Sequence, residues 1–165
     1  MSTAEAAMAN LADLTKLSIA INQKSNEVNQ ILQDLEKKLL TMNLGVEAWV
    51  PNFPLASVQE TVTEENSYGD EYERLYSREE VLGFGLHGAR YMLLVKEMHY
   101  SAQPAMGNED WRLDREGRPR PLLQASRELR IAALERIERL IDALLAEAQK
   151  IISAIEKGRQ TVDKL

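Results

Sequence analysis

From Leu134 to the C-terminus the apolar residues Leu134, Ile137, Ile141, Leu144, Ala148, Ile151, Ile155, Gly158, Val162 and Leu165 follow one another at alternating steps of three and four. An apolar period near 3.5 stays on one stripe of a helix only if that helix winds around a partner, which is the seam of a coiled coil. The pattern predicts a C-terminal helix over 122–165. A helix of about 40 residues is roughly 60 Å long, more than the core of one small domain covers. It therefore asks for a partner of similar length.

The N-terminal segment has the pattern such a partner needs. Ser2-Thr3-Ala4-Glu5 has the spacing of a capping box, in which the Ser hydroxyl and the Glu carboxylate satisfy early backbone N–H groups. Ala7, Leu14, Ile21, Val28, Leu35 and Met42 then recur every seventh residue, and Leu11, Leu17, Ile31, Leu32 and Leu39 widen the stripe. The expectation is a helix over 3–43, closed by Asn43-Leu44-Gly45 with Gly45 as a left-handed cap. Asn10, Lys24 and Lys38 fall on the seam, where polar residues fix register at some cost in stability and long stems also snorkel to the edge of the stripe.

Between these helices, over 44–121, the period shifts toward two. Val46–Val50 reads as a short strand ended by Pro51 and Pro54, and Ser57–Val62 as a second. Glu80–Leu86 and Ala89–Tyr100 read as a hairpin turning at His87-Gly88, where Gly88 supplies the positive φ of a tight turn. Gly83 and Gly85 leave one face of the first of these strands bare, ready for close packing by the end of a long helix. Residues 101–110 read as a loop and Trp111–Leu113 as a last strand. Residues 60–80, with eight acidic side chains against Arg74 and Arg78, read as an acidic loop.

The expected fold is a single α+β domain over 1–165: two long antiparallel coiled-coil-type helices with a small antiparallel β-sheet inserted between them. Both helices join the same sheet, one entering and one leaving, so pairing within the chain has to be antiparallel. Their stripes are broader than one partner covers, since Ile131, Leu140, Leu145 and Ile152 lie beside the seam, and a homodimer follows as the expectation. The residues expected to carry helix packing and oligomerisation are Leu14, Ile21, Val28, Leu35, Ile137, Ile141, Leu144, Ile151 and Ile155.

The rest of the composition mainly excludes. There is no cysteine, which removes disulfides, thiolate catalysis and Cys-type zinc sites. No secretory leader is visible at the N-terminus and no apolar run reaches the roughly 18 residues of a membrane span; a cytoplasmic protein without membrane attachment is expected. The net charge of −6, from 20 basic and 26 acidic residues, weighs against a general nucleic-acid binder.

Two polar groupings and one aromatic cluster remain as candidate sites. Arg112, Arg115, Arg118, Arg120, Arg127, Arg130, Arg136 and Arg139 crowd one stretch, and Arg118, Arg120, Arg127 and Arg130 form the candidate anion or partner site within it. Interleaved carboxylates favour instead a salt-bridged, solvated face. Glu97 and His99 share a strand face near Tyr100, and His87 stands at the far end of the same hairpin, so a metal or acid–base site there is the weaker reading beside ordinary surface residues. Trp49, Trp111, Phe53, Phe84, Tyr91 and Tyr100 gather in the middle third of a chain with only 5% aromatics, as a small core for the sheet.

The runs Leu44–Val50, Leu82–Gly85 continuing into Tyr91–Val95, and Ser126–Ala133 with its Arg-Glu-Leu-Arg resemble a group of small uncharacterised bacterial proteins in which a sheet follows one helix and precedes another. The resemblance implies the layout and a bacterial origin, and no activity, cofactor or functional residue. The expected function is a non-enzymatic oligomeric scaffold or adaptor that recognises another protein through its β head and helical bundle. A nucleic-acid or phosphate-binding regulator using Arg112–Arg139 is the alternative, and a hydrolase built on Glu97 and His99 the third. No cofactor or metal is expected.

Overall fold

A computed structural model of the protein describes residues 2–105 and 108–165. Among the described residues the chain forms three α-helices and a six-stranded antiparallel sheet. Helix α1 spans Thr3–Met42, capped by the Ser2/Glu5 box and closed by Asn43 in the left-handed region, with Gly45 at positive φ just beyond. Strands β1 (Ala48–Trp49), β2 (Ala56–Glu65), β3 (Glu71–His87) and β4 (Arg90–Ala102) follow. A two-stranded ribbon, β5 (Pro104–Ala105) with β6 (Asn108–Glu109), branches off. Strands β7 (Arg112–Glu116) and β8 (Arg120–Pro121) precede a 3-10 turn at Leu122–Gln124, and helices α2 (Arg127–Leu134) and α3 (Ile137–Val162) end the chain.

The sheet is four strands wide. β3 and β4 form its centre, paired from Leu75 with Ala102 to His87 with Arg90 around the turn at Gly88. One edge is made of β2 and then β1, both on β3; the other of β7 and then β8, both on β4. Alternation sends Leu82, Phe84, Leu93 and Val95 to one face, where they meet Leu32 and Leu39 of α1, Leu122, Ala133 of α2, and Leu140 and Leu144 of α3. This single layer of helices on one sheet face is the core.

Three expectations are corrected here. The long helices do not form an antiparallel hairpin: α1 packs on α2 and β4, and α3 on β1 and β3. Each instead uses one half of its length on the sheet, and among the described residues no coiled coil forms between them. The C-terminal helix expected over 122–165 is broken: at Glu135 and Arg136 the backbone N–H groups bond three residues back, to Ala132 and Ala133, and the regular ladder resumes at Leu140 on Arg136. That tightened turn re-aims the chain so that α3 meets β1. The acidic stretch 60–80 is not a loop but most of the β2–β3 hairpin, turning over Asn66–Asp70, where the Asn66 side chain accepts from the N–H groups of Tyr68 and Asp70.

Two further differences are local. The bare patch at Gly83 is filled by the Trp49 ring, and Glu47 covers Gly85; no helix end comes there. The loop expected over 101–110 is partly strand, since Ser101 and Ala102 close β4, while Gly107 lies outside the described residues.

Candidate interaction surfaces

The residues expected to pack the helices divide into two groups. Val28 and Leu35 of α1, and Ile137 and Leu144 of α3, lie in or against the core. Leu14, Ile21, Ile141, Ile151 and Ile155 are exposed, Ile155 to 66%. The division follows position along each helix. In α1 every described residue as far as Lys24 is exposed, and in α3 every one from Gln149 onward.

The exposed residues nevertheless continue the buried face. Leu14, Leu17 and Ile21 precede Leu32, Leu35 and Leu39 by about 18 positions, roughly five helical turns. In α3, Ile155 and Val162 follow Ile137 and Leu144 by the same interval. A residue and its counterpart five turns away point the same way, so the stripe that seals the sheet runs on past the sheet with nothing over it. The open part of α1, residues 3–24, is roughly 33 Å long at about 1.5 Å per residue. Ile141 lies to one side of this line, which is why Leu140, not Ile141, enters the core.

The arginine set is dispersed. Arg120 donates twice to the Glu80 carboxylate at 3.1 Å, and Arg130 donates to the carbonyls of Leu123 and Ala125, tying down the turn before α2. Arg127 lies 3.9 Å from Glu128 and Arg112 3.5 Å from Asp114, while Arg139 covers the Phe53 ring at 4.3 Å. Of the four candidate residues Arg120 and Arg127 form ion pairs, Arg130 bonds only to backbone carbonyls, and Arg118 is exposed between β7 and β8. The guanidinium groups thus serve separate local partners and do not converge on one point.

Glu97 and His99 do meet: His99 Nε2 lies 3.0 Å from Glu97 Oε2 and 3.1 Å from Arg115 Nη2. One ring nitrogen cannot donate to a carboxylate and accept from a guanidinium at once, so the two contacts compete. His87 closes the opposite end of β3, next to the Gly88 turn. A cleft of about 510 Å³ lies beside His99, lined by Tyr76, Arg78, Asp114 and Arg115 among others. Among the described residues no group of three or more His, Cys, Asp or Glu side chains is placed to hold a metal ion. No helix among them is long and apolar enough to cross a membrane.

The aromatic residues serve the sheet in several places. Phe84 and Tyr91 stack with centroids 5.8 Å apart on the helix-covered face, and Lys96 stands 4.0 Å over the Trp49 ring on the other. Glu64 accepts from the Tyr72 phenol at 2.8 Å and from the Tyr76 phenol, with Arg74 3.8 Å away. The two phenol bonds and the guanidinium hold the Glu64 carboxyl below the usual range, and the same contact raises both tyrosines.

Two features carry no signal in the linear sequence. Glu36, on the apolar face of α1, is buried and accepts from the backbone N–H of Leu93 at 2.9 Å. Ser77, Glu79 and Tyr100 come together only through the register of β3 and β4. No known protein-family model, curated protein or solved structure matches this chain.

Proposed function

We propose that this protein is a non-enzymatic oligomeric scaffold, whose projecting half-helices are covered by those of a second copy and whose β head is left for contact with another protein. The reading rests on one observation: Leu14, Leu17 and Ile21 of α1, and Ile155 and Val162 of α3, repeat five turns away the residues that seal the sheet, and all are exposed. Monomeric soluble proteins rarely leave contiguous apolar patches of more than a few hundred Å² open. A second copy suits both stripes, because an apolar heptad stripe accepts another as knobs into holes. Charge does not oppose it, since the open half of α1 balances Glu5 and Asp13 with Lys16 and Lys24. A two-fold arrangement places the same patch of both copies in contact and closes the assembly.

Phosphate or nucleic-acid binding by the arginine set draws less support, because Arg120 and Arg130 are already engaged. The test of the scaffold reading is mass in solution. Sedimentation equilibrium is expected to give the mass of two or more chains of 18.7 kDa, reduced to the single-chain value by Leu14→Glu combined with Ile155→Glu. A wild-type particle of single-chain mass at micromolar concentration overturns the reading.

A further inference from the structure

The sheet face away from the helices holds a second, smaller cavity, of about 190 Å³, lined by Gln59, Ser77, Glu79, Tyr100 and Trp111. Strand register builds it: Gln59 pairs with Ser77, Ser77 with Tyr100, and Tyr100 with Leu113, one row across β2, β3, β4 and β7. Glu79 is two residues along β3 on the same face. Beside the row, between His99 and Tyr100, the register of β4 on β7 shifts by a bulge, a device that re-aims side chains next to binding sites.

The lining groups are short of partners. Ser77 is 5% exposed, and its Oγ forms no hydrogen bond, although buried hydroxyls are almost always paired. Burial alone lifts the Glu79 carboxyl above its ordinary range, with no cation or donor among the described residues acting to lower it. Burial also raises the Tyr100 phenol, and the negative charges of Glu79 and Glu116 raise it further. The cavity therefore offers a carboxylate, two hydroxyl oxygens and an amide, with local negative potential and an indole wall, and nothing positive in its lining.

We propose that this cavity binds an alkylammonium group. Glu79 is its counter-ion, the Ser77 Oγ and the Gln59 amide oxygen accept its remaining N–H bonds, and the Trp111 and Tyr100 rings cover its methylenes and part of its charge. The space, about six water-sized groups at roughly 30 Å³ each, suits one amine on a short chain and excludes a nucleotide or an oligosaccharide. The protein's net charge of −6 draws such a ligand in. A free small amine and a lysine side chain of another protein present the same chemistry.

The test is a titration of the full chain, followed by the amide signals of Ser77, Glu79 and Tyr100 and the indole signal of Trp111. Its probes are n-butylammonium, neutral n-butanol, and a blocked Gly-Lys-Gly peptide. Saturable shifts at these four residues with butylammonium or the peptide and none with butanol are expected, the tighter of the two amines naming the source. Glu79→Gln is expected to weaken binding at least tenfold with an unchanged melting temperature, and Tyr100→Phe to weaken it less. The proposal is overturned by no saturation with either amine, by equal response to butanol, or by Glu79→Gln binding as wild type does. If Glu79→Gln melts early, Ser77→Ala is the substitute, and unchanged binding by that variant together with Tyr100→Phe overturns the proposal equally.

Discussion

The carboxylate of Glu36, on the sheet-facing side of α1, accepts a hydrogen bond of 2.9 Å from the backbone N–H of Leu93 in β4. Strand β8 pairs with β4 only at Leu94 and Val95, so at Leu93 the ladder has ended while the residue itself is 1% exposed. The helix supplies the acceptor that a further strand residue would have supplied, and Arg90, 3.9 Å from the same carboxylate, partly offsets its charge.

Replacing that acceptor tests the relationship. Glu36→Gln keeps an oxygen in place and is expected to cost less than about 1 kcal/mol. Glu36→Leu leaves a buried N–H unpaired and is expected to cost about 1–3 kcal/mol. Urea unfolding of the two variants at one pH distinguishes them. Equal stability of Glu36→Leu and wild type sinks the account.

Gly83 and Trp49 make a second relationship that substitution can test. A Cβ on residue 83 would stand 2.3 Å from the Trp49 ring, far inside contact, so Gly83→Ala must displace an indole that Lys96 also holds from above. The expected loss is roughly 1–3 kcal/mol. Because the cost lies in one contact, it should vanish in a Trp49→Ala background, and a double-mutant cycle reads this directly. Additive losses would place the strain in the β3 backbone and not at the ring.

How far the sequence showed all this depends on where each signal resides. The α1 cap was legible because Ser2 and Glu5 act within one turn, and the β3–β4 turn because Gly88 carries it alone. Ser57–Val62 was legible as a strand and lies within β2, but its partner was hidden because both faces of the first half of β3 are largely polar: Glu71, Glu73 and Ser77 alternate with Tyr72, Arg74 and Arg78, which leaves little apolar period to read. The break before α3 falls at Glu135-Arg136, with neither Gly nor Pro to mark it. A heptad stripe does not say whether a sheet or another helix will cover it, and here the sheet takes the half of each stripe nearest to it. Glu79 and Tyr100 lie 21 positions apart in sequence and meet only once β3 and β4 are in register.

Glu64 gives the end of the β2–β3 hairpin a dependence on pH. Its carboxyl, held low chiefly by the Tyr76 and Tyr72 phenols, has a lower pKa in the folded chain than in the unfolded one. Its contribution is therefore fully present above the ordinary glutamate value, about 4.3, and is lost as pH falls through the lower folded value. Amide protection at Thr63 and Glu73, which pair across the hairpin, should stay level from neutral pH to that range and drop below it. Glu64→Gln should show weaker protection throughout and no such step. A wild-type profile without the step removes Glu64 as its cause.

Leu14 and Leu32 share one helix face, five turns apart, yet Leu14 is 61% exposed and Leu32 fully buried, so the same substitution at both separates fold from assembly. Leu32→Asp places an unpaired carboxylate against Leu82, Phe84 and the rest of the core and is expected to cost about 4 kcal/mol or more. Leu14→Asp falls on the exposed half of α1, clear of the core, and should leave the dilute monomer within about 0.5 kcal/mol of wild type. If a second copy covers the stripe, wild-type melting temperature rises with protein concentration, as it must when association stabilises the folded state. Leu14→Asp should flatten that dependence without lowering the dilute limit. A wild-type melting temperature independent of concentration would instead mean that the open halves of α1 and α3 remain uncovered in solution, and Leu14 would then be free to change without consequence.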